Sequence, residues 1–439
     1  GSGTYAAVIH IEELSSSAKR WFQTPFTVAK ELFLPIGFPS SVKEGYLEYQ
    51  LYDSLQGLCS YLRGVLCSAQ VLQAAGVGNQ NATALAVAFT WALKDGMGMI
   101  GGLGFSYLAS PLFDAHVKEF RLFADLINDV GLTLDMLAPY AGSENLLAVT
   151  SAATLCKTLC GMSAAATKAS ITQYFAIAGN MADLNAKEST QETLVSLLGM
   201  MMGASLASHL QQYEEHHKEF SQSIQWTIFL FLTAVHVWAN WMGVCLLRLE
   251  TLNQARADLV FDNLFEEDGT KFKSSLSNVS FVSPNDINES LIVSSRKMFW
   301  PGRLRLGASL VLMLQQISDL NVINKVLDDV SSEKYIVTIH KGIVYVCLLR
   351  GATNEDEIKA YCHARILAKL LGMRNNDDES SNHETVRQAA KDVNKLFQSQ
   401  QEENGSILNL LKVQGWDVDG RLYLGFPRKR TELLTSKKD

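Results

Sequence analysis

The chain has 439 residues, 47% hydrophobic and 19% charged, with a mean hydropathy of +0.06, a length that fits two or three domains. A net charge of −7 removes the basic footprint of a nucleic-acid binder, and 8 prolines exclude collagen-like and Pro-rich disordered chains. Seven cysteines without a CxxC pair exclude a secreted disulfide framework and a tetrahedral zinc site.

No targeting signal is legible at Gly1-Ser2-Gly3, which reads as an expression scar. Residues 1–45 form an N-terminal segment; from 17 to 45 aromatic and basic residues alternate, and Pro35 and Pro39 forbid a long helix. It reads either as an interfacial segment, with Trp21, Phe22 and Phe26 among lipid headgroups and Lys19 and Arg20 in water, or as a loop leading into the first helix.

Six apolar stretches follow at about 48–75, 82–109, 120–140, 146–178, 193–210 and 223–247. The fifth and sixth hold no Asp, Glu, Lys or Arg; the other four carry charge or many small residues and also fit buried helices of a soluble protein. If all six cross a membrane, Lys19, Arg20, Lys30, Lys43, Lys118, Arg121, Lys187, Arg248 and Arg256 fall on one side and only Lys218 on the other. That asymmetry obeys the positive-inside rule and favours six crossings with both ends on the cytosol-like face. Gly57, Gly64, Gly98, Gly102, Gly199 and Gly203 are small residues at helix-packing spacing.

Beyond residue 262 the chain becomes soluble in character. Residues 263–302 read as a linker and 303–439 as a small α+β domain. Within it, 306–330 is helical, KYIVTIHKGIVYVCLL is a β-hairpin turning at His340-Lys341-Gly342, and Asn354 starts a helix with Glu357 completing its capping box. Residues 383–414 are helical again, and WDVDGRLYLGF gives a last turn and strand. The fold class is therefore mainly α: a six-helix membrane domain over 46–262, with a possible 3+3 repeat, followed by the α+β domain.

The candidate site residues are charges and polar groups inside the spans, where they are costly unless paired or wet. Lys94 and Asp95 lie in a Gly-rich second span, as a substrate contact, a pair locking helices, or the end of the span. Arg121, Asp125 and Asp129 share one helix face with four-residue spacing. That face must line a cavity or meet Lys94, Lys157 or Lys168. Lys187 and Gln191, with Asp183, Asn185 and Glu188, sit where the fifth helix begins, as site residues or as ordinary helix-start grammar. His236 and Asn240 make a polar stripe on the sixth span. The Lys94-Asp95-Gly96 and Lys187-Glu188-Ser189 triplets hint at an internal repeat.

No nucleophile elbow, phosphate loop, HExxH or dinucleotide fingerprint is present, so neither catalytic residues nor a cofactor are expected. His209, His216 and His217 have poor metal spacing, and Cys156 and Cys160 read as packed thiols, so no metal is expected.

Five blocks in order, FLPIGFPSSVKEGYLEYQLYDSLQG, WALKDGMGMIGGL, FRLFADLINDV, GNMADLNAKESTQETLVSLLG and ETLNQARADLV, resemble the root UVB sensitive family. The resemblance implies an intracellular membrane protein, plastid-targeted in some members. In plants the family is linked to ultraviolet-B responses, development, auxin transport and pyridoxal phosphate homeostasis. It supplies no catalytic residues. Two functions are thus expected. One is a transporter-like protein for a small polar or anionic metabolite, completed as a homodimer or with a relative. The other is a non-transporting membrane scaffold that recruits partners through its C-terminal domain.

Overall fold

The computed structural model describes residues 25–75, 84–216, 218–262, 282–287, 304–315, 334–373, 386–394, 397, 407–420 and 422–425. Trp21, Phe22, His217, residues 76–83 and 316–333, and most of 263–303 and 374–406 lie outside them. The chain divides into two compact units, one of residues 1–110 and 120–247, the other of 111–119 and 248–439.

The first unit opens with α1 (Pro25–Phe33), which stops before Pro35 because a proline inside a helix removes a bond and clashes with the preceding turn. Six long helices follow: α2 (Tyr46–Ala74), α3 (Ala84–Ala109), α4 (Val117–Leu137), α5 (Gly142–Phe175), α6 (Met181–His216) and α7 (Lys218–Leu246). They match the six expected stretches, and α6 starts about three turns earlier than its apolar run alone indicates.

Side-chain pairings fix the helix directions. Gln50–Glu188, Gly57–Val195, Tyr61–Gly199 and Val65–Gly203 join α2 to α6 at a constant offset of 138, so these helices run parallel. Asp53–Arg121, Ser60–Asn128 and Cys67–Leu132 rise together along α2 and α4, again parallel. Gln56–His236, Arg63–Thr233 and Gln70–Gln225 run oppositely, so α7 is antiparallel to α2. Gly98–Thr154 and Gly102–Thr158 place α3 parallel to α5. Thr172–Glu188 and Lys168–Glu192 run oppositely, so α5 is antiparallel to α6, and odd and even members of the series alternate in direction.

Close approach explains several small residues. A Cβ at Gly199 would lie 2.6 Å from Tyr61 Cβ, and one at Gly203 would lie 2.9 Å from Val65 Cγ2. Gly64 has open space around it and is not a packing glycine. Three helical segments among the described residues are long and apolar enough to cross a membrane: Glu144–Phe175, Met181–Tyr213 and Phe220–Leu246. They fit association with a membrane. The outer faces agree, since Ile100, Leu103 and Leu108 are each more than 70% exposed, a costly arrangement in water.

The second unit holds α8 (Gln254–Asp262), α9 (Pro284–Ile287), β1 (Leu304–Leu306), α10 (Leu310–Gln315), β2 (Tyr335–His340), β3 (Ile343–Leu348), α11 (Asn354–Met373) and α12 (Ile407–Val413). The sheet order is β1-β3-β2, with β1 parallel and β2 antiparallel to β3. The hairpin turns where expected, with Lys341 and Gly342 both at positive φ (48° and 69°), as a two-residue turn matching strand twist demands. Val344, Val346, Ile358 and Leu367 are fully buried between the sheet and α11.

The compact units divide the chain at Leu247–Arg248, and Leu252, Ala257, Val260 and Phe261 of α8 and its approach belong to the second unit's core. Two local readings change. The box at the start of α11 is Thr353 with Asp356: Thr353 N and Oγ1 both donate to Asp356 Oδ2 at 2.8 Å. Asn354 instead donates to Val418 O and Gly420 O. The segment WDVDGRLYLGF forms isolated bridges, 417 with 251 and 423 with 253, in place of a strand. Between them Asp417 Oδ1 accepts from Gly420 N and closes a turn.

Candidate functional site

Helices α2, α4, α5 and α6 enclose a cavity of about 480 Å³. Small residues on its wall, Gly57, Gly161, Ala164 and Ala165, leave the space open. The charged groups of the wall are Asp53, Arg121, Asp125, Lys168, Glu188 and Glu192. Arg121 forks between Asp53 and Asp125: Nη2 donates to Asp53 Oδ1, and Nε lies 3.9 Å from Asp125 Oδ2. Lys168 Nζ pairs with Glu192 Oε2 at 2.8 Å. Glu188 is held by neutral donors, Gln50 Nε2 at 3.1 Å and Thr172 Oγ1 at 2.8 Å.

A chain of buried polar groups runs inward from this wall. Gln56 Nε2 donates to Asp125 Oδ1 at 2.7 Å and lies 3.0 Å from His236 Nε2. An amide N–H₂ placed between a carboxylate and an imidazole nitrogen makes that nitrogen the acceptor. His236 Nδ1–H then donates to Asp129, 3.2 Å from Oδ2. Asp129 Oδ1 also accepts from Arg63 Nη1 at 2.5 Å, and the same Nη1 reaches Thr233 Oγ1 at 3.0 Å. Arg63 and His236 have no exposed surface. Beyond Asp129 a second, mainly apolar groove lies between α4 and α7, edged by Leu126, Val130, Leu134 and Val237. The ion-pair chain thus separates a polar cavity from an apolar groove.

The sequence-derived candidates divide into three groups. Arg121, Asp125 and Gln191 line the cavity. Asp129 and His236 lie behind it in the buried chain, and Asn240 is buried one turn further along α7. Lys94 and Asp95 are elsewhere: Lys94 Nζ lies 3.9 Å from Asp95 Oδ1 and 4.6 Å from the Trp91 ring centre, all on α3. Of the partners anticipated for the acidic face, Lys157 meets Asp135 at 2.5 Å, and Lys168 stands on the cavity wall.

The start of α6 has another task. Lys187 donates to Glu31 O and Gln191 to Phe33 O at 2.6 Å, covering carbonyls that the end of α1 leaves open. Asp183 Oδ2 accepts from Ile36 N at 2.8 Å, and Asn180 Nδ2 donates to Ser41 O. This polar block moors the segment before α2. The Lys94 and Lys187 triplets therefore occupy unlike places.

Four contributors escaped the sequence reading: Arg63, Gln56, Asp53 and Lys168 as a wall residue. Arg63 carried a signal, as the one Arg or Lys between 46 and 75, and the i, i+3 and i+4 spacing of 53, 56, 60 and 63 places all four residues on one helix face. In the second unit, Asn253 Oδ1 caps α8 by accepting from Arg256 N, and Tyr361 OH donates to Asp258 Oδ1 at 2.6 Å. Those residues of the NQARAD block hold structure. No group of three or more His, Cys, Asp or Glu among the described residues is arranged to hold a metal ion.

Residues 19–268 match the family model described as "Vitamin B6 photo-protection and homoeostasis domain", and residues 280–425 match "Root UVB sensitive protein, C-terminal". The chain is 33% identical to Protein root UVB sensitive 3 of Arabidopsis thaliana over 78% of its own length and 75% of that protein's. It is 34% identical to RUS family member 1 of Dictyostelium discoideum over 65% of its length, a match spanning 51% of that relative. Identity to Protein root UVB sensitive 2, chloroplastic, of Arabidopsis is 26% over 88% of this chain and 81% of that one. Comparison with solved structures finds no match.

Proposed function

The chain belongs to the root UVB sensitive family, and on that premise we propose that it is a membrane carrier for a small polar metabolite of the vitamin B6 class. The observation that carries this reading is the polar cavity of about 480 Å³ inside the first unit, a volume within the range of small-molecule sites. Arg121, Asp125 and Glu188 are largely buried on this wall, and buried charges in a lipid-facing helical unit mark ligand paths more often than they stabilise. The vitamin class comes from the description of the matched domain. Six crossings by α2 to α7 are part of the proposal, supported by the alternating helix directions and by the one-sided distribution of Lys and Arg.

In this reading Arg121 is the organising cation. It holds Asp53 on α2 and faces Asp125 on α4, so a ligand that engages either carboxylate alters the pairing between two helices. The experiment is uptake of labelled pyridoxine, pyridoxamine and pyridoxal 5′-phosphate into proteoliposomes holding the purified chain. Uptake of at least one above empty liposomes, reduced tenfold or more by Arg121→Ala in protein with an unchanged elution profile, is expected. Uptake no higher than in empty liposomes for all three overturns the carrier reading.

A further inference from the structure

The charge balance of the cavity wall identifies the class of ligand, an inference that rests on the carrier reading and sharpens it. Four carboxylates face two cations, and both cations are committed: Arg121 to Asp53, and Lys168 to Glu192. Glu188 has its hydrogen bonds from the neutral groups of Gln50 and Thr172. Asp125 is 4% exposed. Its Oδ1 accepts from Gln56, and its Oδ2 has no hydrogen-bond donor at all. The nearest cation to that oxygen, Arg121 Nε at 3.9 Å, lies beyond hydrogen-bond distance.

A buried carboxylate oxygen without a donor is a standing demand for one. A phosphate or carboxylate entering here would leave Asp125 Oδ2 without a donor and would add negative charge to a surplus of negative charge. An ammonium or other N–H-bearing cation meets both deficits. We propose that the cavity takes a small metabolite carrying a protonated amine and no phosphate, with the amine seated on Asp125 Oδ2 and within the field of Glu188. Within the vitamin B6 class this selects pyridoxamine over pyridoxal 5′-phosphate. Of the polar or anionic cargoes expected from the sequence, this proposal takes the polar, cationic side, since Arg121 and Lys168 on the wall are each paired with an acid.

Cys160 stands on the same wall with its thiol free and serves as the reporter. The full chain in detergent is treated with a maleimide, and the alkylation rate of the Cys160 peptide is read by mass spectrometry with millimolar pyridoxamine or pyridoxal 5′-phosphate present. Pyridoxamine is expected to slow alkylation at least fivefold and the phosphate ester less than twofold. Asp125→Asn should abolish the protection, whereas Lys94→Ala, outside the cavity, should keep it. Equal or stronger protection by the phosphate ester, no protection by pyridoxamine, or full protection in a folded Asp125→Asn overturns the assignment. If Asp125→Asn fails to fold, the ranking of the two compounds on the unmodified chain decides alone. Protection without uptake into proteoliposomes removes the carrier reading and keeps the ligand class. Uptake of the phosphate ester does the reverse.

Discussion

The two units of this chain are built inside out relative to one another. In the first, Arg63 and His236 are fully buried and Asp125 and Asp129 nearly so, while Ile100, Leu103 and Leu108 face outward. In the second, Val344, Val346, Ile358 and Leu367 are fully buried. The contrast is the one expected when, as proposed above, the first unit meets lipid and the second meets water. In water, apolar burial drives folding, and the second unit obeys that rule. Against lipid tails an apolar face gains nothing by turning inward, so helices associate through close packing and internal polar bonds. The Arg63–Asp129–His236–Gln56–Asp125 chain and the Gly199 and Gly203 contacts are those two devices.

The sharpest break of this comparison is Arg63→Ala. It leaves Asp129 as a buried carboxylate with His236 as its remaining close partner, and loss of one member of a buried pair costs about 3–5 kcal/mol. Thermal unfolding of the detergent-solubilised chain should drop steeply, and the double variant Arg63→Met with Asp129→Leu should recover much of the loss. If Arg63→Ala unfolds at the unmodified temperature, the polar chain does not hold the helices together.

A smaller effect separates the units by pH. His363 on α11 is buried between Tyr335 OH, 3.4 Å from Nδ1, and Val386 O, 3.1 Å from Nε2. Burial, partly opposed by the bond to Val386 O, pushes its pKa down to about 4. The folded imidazole thus stays neutral until about pH 4, whereas the unfolded one takes a proton below about 6.5. The unfolded state binds the extra proton, so stability falls as pH drops from about 6.5 to about 4 and is level below that. The total is about 3 kcal/mol from the linkage relation. Denaturant titrations between pH 7 and pH 4, read by proteolysis of the C-terminal region, should show this decline, and His363→Phe should flatten it. A pH-independent midpoint in the unmodified chain would contradict the buried neutral histidine.

How much of this was legible differs between the units for the same reason. The hairpin and α11 follow from β-branched alternation and helix-start chemistry within a few residues. Their only error, Asn354 for Thr353 as the cap, is a contest between adjacent residues that Asn354's bonds to Val418 O and Gly420 O decide. The six long helices were legible from apolar length. The wall of the cavity was half legible. Arg121, Asp125 and Asp129 announced themselves by shared helix face, but their partners Asp53, Gln56 and Arg63 lie 66 to 69 residues away. Pairing across that distance depends on which helices become neighbours, and local spacing holds no record of it. Lys187 and Gln191 show the converse. Their polar density was visible, yet the carbonyls they cover belong to α1, whose end only the folded chain brings to them.

Lys94→Ala gives the smallest effect and the cleanest discrimination. Sequence placed Lys94 beside Arg121 on a ligand path because a lysine within an apolar helix is expensive unless it has work to do. The structure gives it a local occupation: its ammonium lies over Trp91 and beside Asp95, which is itself more than half exposed. A partly exposed cation–π contact and a 3.9 Å ion pair on one helix are each worth well under about 1 kcal/mol. Substitution should therefore shift the unfolding temperature by no more than a degree or two and leave ligand protection of Cys160 unchanged, while Asp125→Asn abolishes it. Equal loss in both variants would mean that α3 reaches the ligand after all, and that the cavity on α2, α4, α5 and α6 is only one side of a larger path.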